Sequence, residues 1–324
     1  MTPQAVVSDI ISRKANQGGI QEIFFVSCGG SLTAFYASKF FLESEASGIR
    51  VGYYTSNEFV HVVPASLGIH SVVLLASHRG NTPETLEAVK VSKARGALTI
   101  VLTYVEDSPI TKIGDYVVRY EWGNGARAGY QKPAMGLRIA VELLEQIEGF
   151  KYYKEMQEGF DRISAIVERG RASIAEKASQ FAKIFKDEKI IYTMGSGCAF
   201  GSAHQESICV LLEMQWIHSA SIHSGEFFHG PFEITDGDTP FILLMSKGRV
   251  RPLDERALKF LQKFTKKIMV IDANNLFIEG IDSSVAEYFN GLVLTNALGV
   301  FNEKLAQERK HPLTDRRYMW KIGY

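Results

Sequence analysis

Two glycine- and hydroxyl-rich segments are the first places where this sequence could do chemistry. Cys28-Gly29-Gly30-Ser31 and Ser77-His78-Arg79-Gly80-Asn81-Thr82 each follow a short apolar run and precede a helical pattern. The first turn of a helix presents unpaired N–H groups and a partial positive charge, so neighbouring hydroxyls can complete a phosphate site. Plain N-capping by Ser or Thr is the alternative, and it needs no ligand. The predicted phosphate-binding residues are Gly30, Ser31, Ser77, Arg79 and Thr82.

An acid/base pair is predicted farther along the chain. Glu213 lies in a helical pattern with apolar residues on every side, and burial there raises a carboxyl pKa towards the range useful for proton transfer. His229 lies at a Gly-Pro turn, and imidazole titrates near neutral pH. Glu226, from the same segment, is a further candidate. The alternatives are a glutamate on a solvated helix stripe and a purely structural histidine.

Composition and motifs exclude several other classes of protein. The 324 residues include 36 basic and 36 acidic side chains, a balance that argues against nucleic acid or an anionic membrane as the main partner. No apolar run approaches the roughly 20 residues of a membrane span, and no apolar signal segment opens the chain. Three cysteines do not make a disulfide framework, so we expect a cytoplasmic protein.

Two kinds of ligand site are also disfavoured by the motifs. His218 and His223 lack a carboxylate at ligand spacing, so no metal site is predicted. Neither hydroxyl-rich segment matches the glycine pattern of a dinucleotide site or of a P-loop, which disfavours nucleotide binding.

Alternating strand and helix patterns must position these residues. Short β-branched and aromatic runs separated by helical stretches are typical of parallel strands with crossover helices. The runs expected to form strands are 22–27, 50–55, 71–76, 97–103 and 115–120 in the first half, and 189–194, 241–245, 268–272 and 292–295 in the second.

The second half repeats the order of the first. Ser56 and Ser224 both open an S-x-E-F segment, and each stands 28 residues after the polar end of the first strand of its half. The next strand ends at Ser77, 21 residues after Ser56, and at Ser246, 22 residues after Ser224. We therefore predict an α/β fold of two doubly wound parallel-sheet subdomains, each a three-layer αβα arrangement, related by internal duplication.

The predicted organisation has four parts. We expect an N-terminal subdomain at residues 1–150, a helical linker at 151–187, a C-terminal subdomain at 188–300 and a tail at 301–324. The tail is aromatic and basic between Arg316 and Lys321, so we expect it to be docked rather than free.

These motifs resemble those of the sugar isomerase (SIS) domain family, with two such domains in tandem. The resemblance rests on Cys28-Gly-Gly-Ser31, Ser77-x-x-Gly80-x-Thr82, Glu213 and Ser224-Gly-Glu-Phe-Phe-His-Gly-Pro231, and it covers essentially the whole chain. The chain resembles the isomerase half of glucosamine-6-phosphate synthase. It is more similar to the fructosamine-6-phosphate deglycases, including the 6-phosphofructose-aspartate and fructoselysine-6-phosphate types, which split phosphorylated Amadori products into glucose 6-phosphate and an amine or amino acid.

The resemblance implies roles for individual residues. Ser31, Ser77 and Thr82 would hold the sugar phosphate, and many relatives have a second serine where this chain has Arg79. Lys321 is the nearest match to a tail lysine that approaches the sugar in isomerase relatives. No metal or organic cofactor is implied. The expected assembly is a homodimer or higher homo-oligomer with the active site near the interface.

The implied reaction moves a proton between neighbouring sugar carbons through an enaminol, after which water hydrolyses a C1 imine. Our hypothesis makes Glu213 the general base and His229 the general acid. The assignment of base and acid stays open, as does the identity of the amine, with aspartate, asparagine, lysine and glucosamine-type adducts all compatible. An aldose–ketose isomerase, an aminosugar-phosphate deaminase and a non-catalytic sugar-phosphate sensor are the alternative functions.

Overall fold

The structure, a computed structural model, describes residues 1–323, so Tyr324 of the predicted tail lies outside it. The chain divides into two compact units, unit 1 (Met1–Asp161) and unit 2 (from Arg162 onward). Each unit contains one parallel β-sheet, which confirms the predicted α/β class. Across residues 1–323, the longest and most apolar helices fall short of what a bilayer span requires.

Unit 1 contains a five-stranded sheet in the order β2-β1-β3-β4-β5. Strands β1, β3 and β4 are buried along their whole length, because helices cover both faces of a parallel sheet. The chain leaves β1 first for β2 and then returns to β3 on the other side. Ligands of such sheets bind outside the carboxyl ends of the strands at this reversal. The strands are β1 (Glu22–Ser27), β2 (Arg50–Thr55), β3 (Ser71–Ala76), β4 (Leu98–Thr103) and β5 (Tyr116–Arg119).

The helices of unit 1 connect these strands and close the unit. They are α1 (Pro3–Lys14), α2 (Gly29–Thr33), α3 (Tyr36–Glu45), α4 (Ser56–Val62), α5 (Pro83–Ala94), α6 (Pro109–Ile113) and α7 (Lys132–Ile147). Phe25, Phe35 and Phe41 are fully buried, and burial of each such ring stabilises the fold by about 1.5–3 kcal/mol. The helix α8 (Tyr153–Ser173) continues across the boundary between the units.

Unit 2 contains a four-stranded sheet in the order β7-β6-β8-β9, which is the order of the first four strands of unit 1. Its strands are β6 (Tyr192–Gly195), β7 (Ser221–His223), β8 (Phe241–Met245) and β9 (Ile268–Asp272). Its helices are α9 (Ala175–Phe185), α10 (Cys198–Gln205), α11 (Arg251–Phe264) and α12 (Asn290–Arg309), with a π-helix at Glu206–Met214. The repeated order matches the two-subdomain prediction.

The prediction of a strand at residues 292–295 is wrong, because this run lies inside α12. Leu294, Leu298, Phe301 and Leu305 are buried at a three- to four-residue spacing, which is the period of a helix face. A four-residue apolar run does not reveal that period. The same packing carries α12 past residue 301, where the sequence predicts that the tail begins.

Candidate functional site

The loop after β3 brings two of the predicted phosphate residues together. Ser77 is 2% exposed, and its Oγ lies 2.9 Å from Oγ1 of Thr82. Thr82 is the N-cap residue of α5, but its side chain makes no capping hydrogen bond to that helix. The simple capping interpretation therefore does not describe Thr82. Its hydroxyl is directed at Ser77 instead.

The loop needs a glycine at position 80. Gly80 has φ +70°, and a Cβ atom there would lie 2.1 Å from Oγ of Ser108. The backbone N–H of Gly80 donates to the carbonyl of Ser77, and its own carbonyl accepts from Ile110. Any larger residue would be strained and would also collide, so this glycine fixes the loop between Ser77 and Thr82.

A lysine that the sequence analysis missed reaches the other predicted segment. Gly30 and Ser31 lie in α2, directly after β1, and β1 pairs with β3. Lys132, in the first turn of α7, donates from Nζ to Oγ of Ser31 at 2.9 Å. Because carboxyl ends of adjacent parallel strands lie at one edge of the sheet, the serine hydroxyls and this ammonium occupy the same edge of unit 1.

The electrostatics of this edge suit an anion. Burial, together with the positive charges of Lys132 and Arg79, lowers the pKa of His78 to about 4. Nδ1 of His78 lies 2.8 Å from the hydroxyl of Tyr120, and its ring stacks on Tyr104. His78 is therefore neutral near pH 7. Two cations therefore act on a site lined by hydroxyls. We call this group of residues the cradle: Ser31, Ser77, Thr82, Lys132 and the exposed Arg79.

In unit 2, Glu213 lies in the last turn of the π-helix, a geometry that occurs often at functional sites. Its side chain is 24% exposed, so it is half-buried rather than enclosed. Nε of Arg316 donates to its Oε1 at 2.8 Å. Burial raises the pKa of Glu213, and the Arg316 guanidinium partly opposes that rise.

The backbone just after Glu213 is strained. Trp216 has φ +55°, which is an outlier for a bulky residue, and its ring packs against His311 at 4.4 Å between centroids. The N–H of Gln215 still donates to Val210, a five-residue step that belongs to the π-helix. Strain of this kind is held by surrounding packing and concentrates at functional sites.

The remaining predicted residues of unit 2 lie on two surface segments. His229 and Glu226 are exposed and share one turn, in which the His229 N–H donates to the Glu226 carbonyl. The ammonium of Lys321 donates to the backbone carbonyl of Arg316, so it contacts the tail itself. Among the hydrogen bonds of residues 1–323, the Glu213 carboxylate pairs with Arg316 and not with His229. The structure thus joins Glu213 to the tail through Arg316.

Two functional candidates, Lys132 and Arg316, carry no motif. Each is separated from its partner by about a hundred residues, with an interval of 101 from Ser31 to Lys132 and 103 from Glu213 to Arg316. The basic and aromatic composition of the tail was the one available signal for Arg316.

Comparison with known proteins places these features in a family. The SIS domain family matches residues 20–131, which include β1 to β5. Fructosamine deglycase FrlB of Bacillus subtilis is 44% identical over 305 residues, covering 94% of this chain and 93% of that protein. Fructoselysine 6-phosphate deglycase of Escherichia coli K12 is 29% identical over 272 residues, covering 83% of this chain and 76% of that protein.

A solved structure agrees with the sequence comparisons. A Salmonella typhimurium LT2 protein, whose crystal structure is described as that of a phosphosugar isomerase, is 50% identical and superposes with a TM-score of 0.97, covering 100% of this chain and 96% of that chain. Sequence identity of 44–50% over nearly the full length shows membership of the same family and not only a common fold. The chain therefore belongs to the SIS domain family, in the group that contains the fructosamine deglycases.

Proposed function

We propose that this protein is a deglycase that cleaves a 6-phosphofructosyl amino acid with water to glucose 6-phosphate and the free amino acid. The observation that carries the proposal is the cradle, where hydroxyls of Ser31, Ser77 and Thr82 lie at one sheet edge under the charges of Lys132 and Arg79. The 44% identity to a fructosamine deglycase supports the reaction type.

The cradle supplies binding far from the reacting carbons. A phosphate dianion on C6 gains charge-assisted hydrogen bonds from the hydroxyls and cations, and these bonds are about twice as strong as neutral ones. Binding at C6 fixes C1 and C2 for the chemistry, so remote binding energy accelerates the step. His78 adds no charge near pH 7, because burial and the neighbouring cations lower its pKa to about 4.

Proton transfer is assigned to Glu213 and His229. In the open-chain substrate the amine is on C1 and the carbonyl on C2. Glu213 removes a proton from C1 while the C2 oxygen gains one, which gives an enaminol, and a proton then returns to C2 to give the C1 imine. Water adds to the imine and the amine leaves, so the reaction balances with one water consumed. His229 is the proposed proton donor to the sugar oxygen, and each group contributes about 10²–10⁴-fold.

The test is release of glucose 6-phosphate from a panel of 6-phosphofructosyl amino acids that includes aspartate, asparagine and lysine adducts. We expect release from at least one adduct, and loss of about 10²–10⁴-fold in kcat for Glu213→Gln. Glu279→Gln is the matched control, since Glu279 is an exposed glutamate of the same unit. A folded Glu213→Gln variant with wild-type turnover would overturn the assignment of the base.

Two other outcomes separate the alternatives. Conversion of fructose 6-phosphate or glucosamine 6-phosphate, with no release from any adduct, would make the protein an isomerase or a deaminase. Binding of these phosphates without turnover would make it a sensor, in which the Glu213 side chain is dispensable.

A further inference from the structure

The tail contacts Glu213 through a single buried guanidinium. Nε of Arg316 donates to Oε1 of Glu213 at 2.8 Å, and the Arg316 side chain is 8% exposed. Arginine is seldom this buried without a partner. The charge of Arg316 is therefore directed at Glu213 rather than at solvent.

The tail also holds this guanidinium in place independently of Glu213. Nη1 of Arg316 donates to the carbonyls of Leu313 at 2.9 Å and of Asp315 at 2.7 Å. Its Cζ lies 5.4 Å from the ring centroid of Trp320, within the range of a cation–π contact. Lys321 in turn donates to the Arg316 carbonyl. The positive charge is thus fixed before any substrate arrives.

The geometry leaves half of the carboxylate available. Arg316 bonds to Oε1 of Glu213, whereas a general base needs one oxygen that can receive a proton from substrate. Oε2 is that oxygen. A side-on contact of this kind orients a carboxylate without occupying both of its oxygens.

Other charged groups on the surrounding elements bond elsewhere. Arg309 of α12 donates to the carbonyls of Lys186 and Gln215, and Arg317 places its Cζ 4.5 Å from the Trp216 ring centroid. The His311 ring packs on Trp216, and Glu206 of the same π-helix accepts from Asn302. Arg316 is therefore the charged side chain that opposes the effect of burial on the pKa of Glu213.

We infer that Arg316 is a positioning residue for the proposed reaction, which holds the Glu213 carboxylate ionised and presents its second oxygen to the substrate. The role of Arg316 in turnover rests on the proposed function. Its electrostatic effect on Glu213 does not rest on that function, because burial raises the pKa of Glu213 and the fixed guanidinium opposes that rise in the free protein.

The kinetic test compares pH profiles of kcat/KM. Arg316→Gln removes the cation, so the acid limb moves to higher pH by about one unit or more. On the acid limb, below both midpoints, activity falls about tenfold for a shift of one unit, and it recovers as the pH is raised. Arg316→Lys keeps a positive charge and shows a smaller shift. Arg317→Gln is the matched control, because Arg317 lies in the same tail and its guanidinium contacts Trp216; its acid limb stays at the wild-type position.

Three outcomes would overturn the inference. A uniform loss of activity at every pH would mean that Arg316 only docks the tail. A rise in activity would mean that the tail inhibits Glu213. An unchanged acid limb in a folded variant would mean that Arg316 has no influence on the base.

A second measurement separates failure of this inference from failure of the proposed function. The ionisation of Glu213 is followed directly by NMR of ¹³Cδ-labelled glutamate, with the signal assigned by its disappearance in Glu213→Gln. The midpoint moves to higher pH in Arg316→Gln if the inference is right, even where no substrate is turned over. An unmoved midpoint rejects the inference, while the absence of glucose 6-phosphate release from every adduct rejects the proposed function.

Discussion

The strand-end serines of the two units have different partners, although they lie at matching positions. In unit 2, Oδ1 of Asp254 accepts from the hydroxyls of Ser196 at 2.8 Å and Ser224 at 2.6 Å, and Oδ2 accepts from the N–H of Ser246 at 2.9 Å. Asp254 stands eight residues after Ser246, as Thr85 stands eight after Ser77. In unit 1 the carboxylate is thus replaced by the hydroxyl of Thr85.

The hydroxyl of Thr85 binds a single serine. Its Oγ1 lies 3.0 Å from Oγ of Ser56, the counterpart of Ser224, while Ser77 is paired with Thr82 in the cradle. The two units therefore share two strand-end serines, Ser56 with Ser224 and Ser77 with Ser246, and differ in charge at this point, with an acid in one and a neutral hydroxyl in the other.

The loops that follow the third strand of each unit differ in the same way. In unit 2 the Glu287 carboxylate accepts from the backbone N–H of Arg249 at 3.1 Å, and Asn290 accepts from the N–H of Lys247 at 3.0 Å. The matching loop of unit 1 is the one that contains Arg79. In unit 2 the chain's own Asp254 and Glu287 carboxylates accept hydrogen bonds from the backbone at this edge, where unit 1 has hydroxyls and no matching carboxylate at Thr85.

This difference shows how equivalent positions in the two copies of a duplicated fold can serve stability in one copy and ligand binding in the other. A carboxylate fixed inside a parallel-sheet edge satisfies the same strand-end donors that a ligand anion would use. In unit 2 the strand-end serines are thereby satisfied within the chain, whereas in unit 1 the proposed function assigns Ser77 to substrate binding. Substitutions of the internal acid and of equivalent residues in the two units test this difference.

The largest effect on stability is expected from Asp254→Ala. Three buried donors lose their acceptor, and since an unsatisfied buried group costs about 1–3 kcal/mol, we expect a loss of about 3 kcal/mol in the free energy of unfolding. Thr85→Ala, the matched change in unit 1, removes one hydroxyl pair and costs about 1 kcal/mol. Urea unfolding measures both. Equal losses would contradict the contrast between the units.

A second pair of positions differs by a titratable group. Glu206 stands ten residues after Ser196, as Ser38 stands ten after Cys28, and both are buried. Burial raises the pKa of Glu206 to about 8, against a hydrogen bond from Asn302 that lowers it. The native state therefore keeps a proton that the unfolded chain loses above about pH 4.5, so stability falls as the pH rises from 4.5 to 8.

Glu206→Gln removes this penalty while keeping an oxygen for Asn302. We expect the variant to gain about 2 kcal/mol or more over wild type at pH 8, and little at pH 4.5. Ser38→Ala is the control in unit 1, where the difference from wild type does not change with pH. Urea unfolding at the two pH values measures the effect, and a pH-independent gain would show that Glu206 is not the titrating group.

The sequence predicts the parallel fold and the repeat because both depend on local patterns. Buried strands such as β3 read as short apolar runs, and the intervals ending at Ser77 and Ser246 reveal the duplication. The prediction of a strand at 292–295 is wrong because it also depends on a local pattern, and four apolar residues fit a strand and a buried helix equally well.

The site is predicted only where chemistry is local. Ser77 and Thr82 belong to one loop, so their pairing follows from the motif. Arg316 and Lys132 act on residues more than a hundred positions away, and only the folded chain brings those pairs together. The π-helix that carries Glu213 is also invisible in the sequence, because its pattern is that of an ordinary apolar helix.

A smaller effect, on substrate binding, is expected when equivalent serines of the two units are replaced by alanine. Ser77→Ala removes a cradle hydroxyl, and loss of a hydrogen bond to a charged group raises KM about tenfold or more for the phosphorylated substrate. Ser246→Ala removes the matching hydroxyl of unit 2, which donates to the Ser196 carbonyl at 2.9 Å. That variant keeps its KM and loses about 1 kcal/mol of stability. A raised KM in Ser246→Ala would mean that both units bind phosphate.

The smallest effect is a change in the titration of one histidine. Lys132 and Arg79 help to lower the pKa of His78 to about 4, so an anion held beside these cations raises it again. His204 in unit 2 is the internal control, since burial alone lowers its pKa. In NMR titrations with saturating glucose 6-phosphate, we expect the His78 midpoint to move up by about half a unit or more while His204 stays in place. A shift at His204 with none at His78 would place the anion in unit 2, and the roles assigned to the serine clusters of the two units would have to be exchanged.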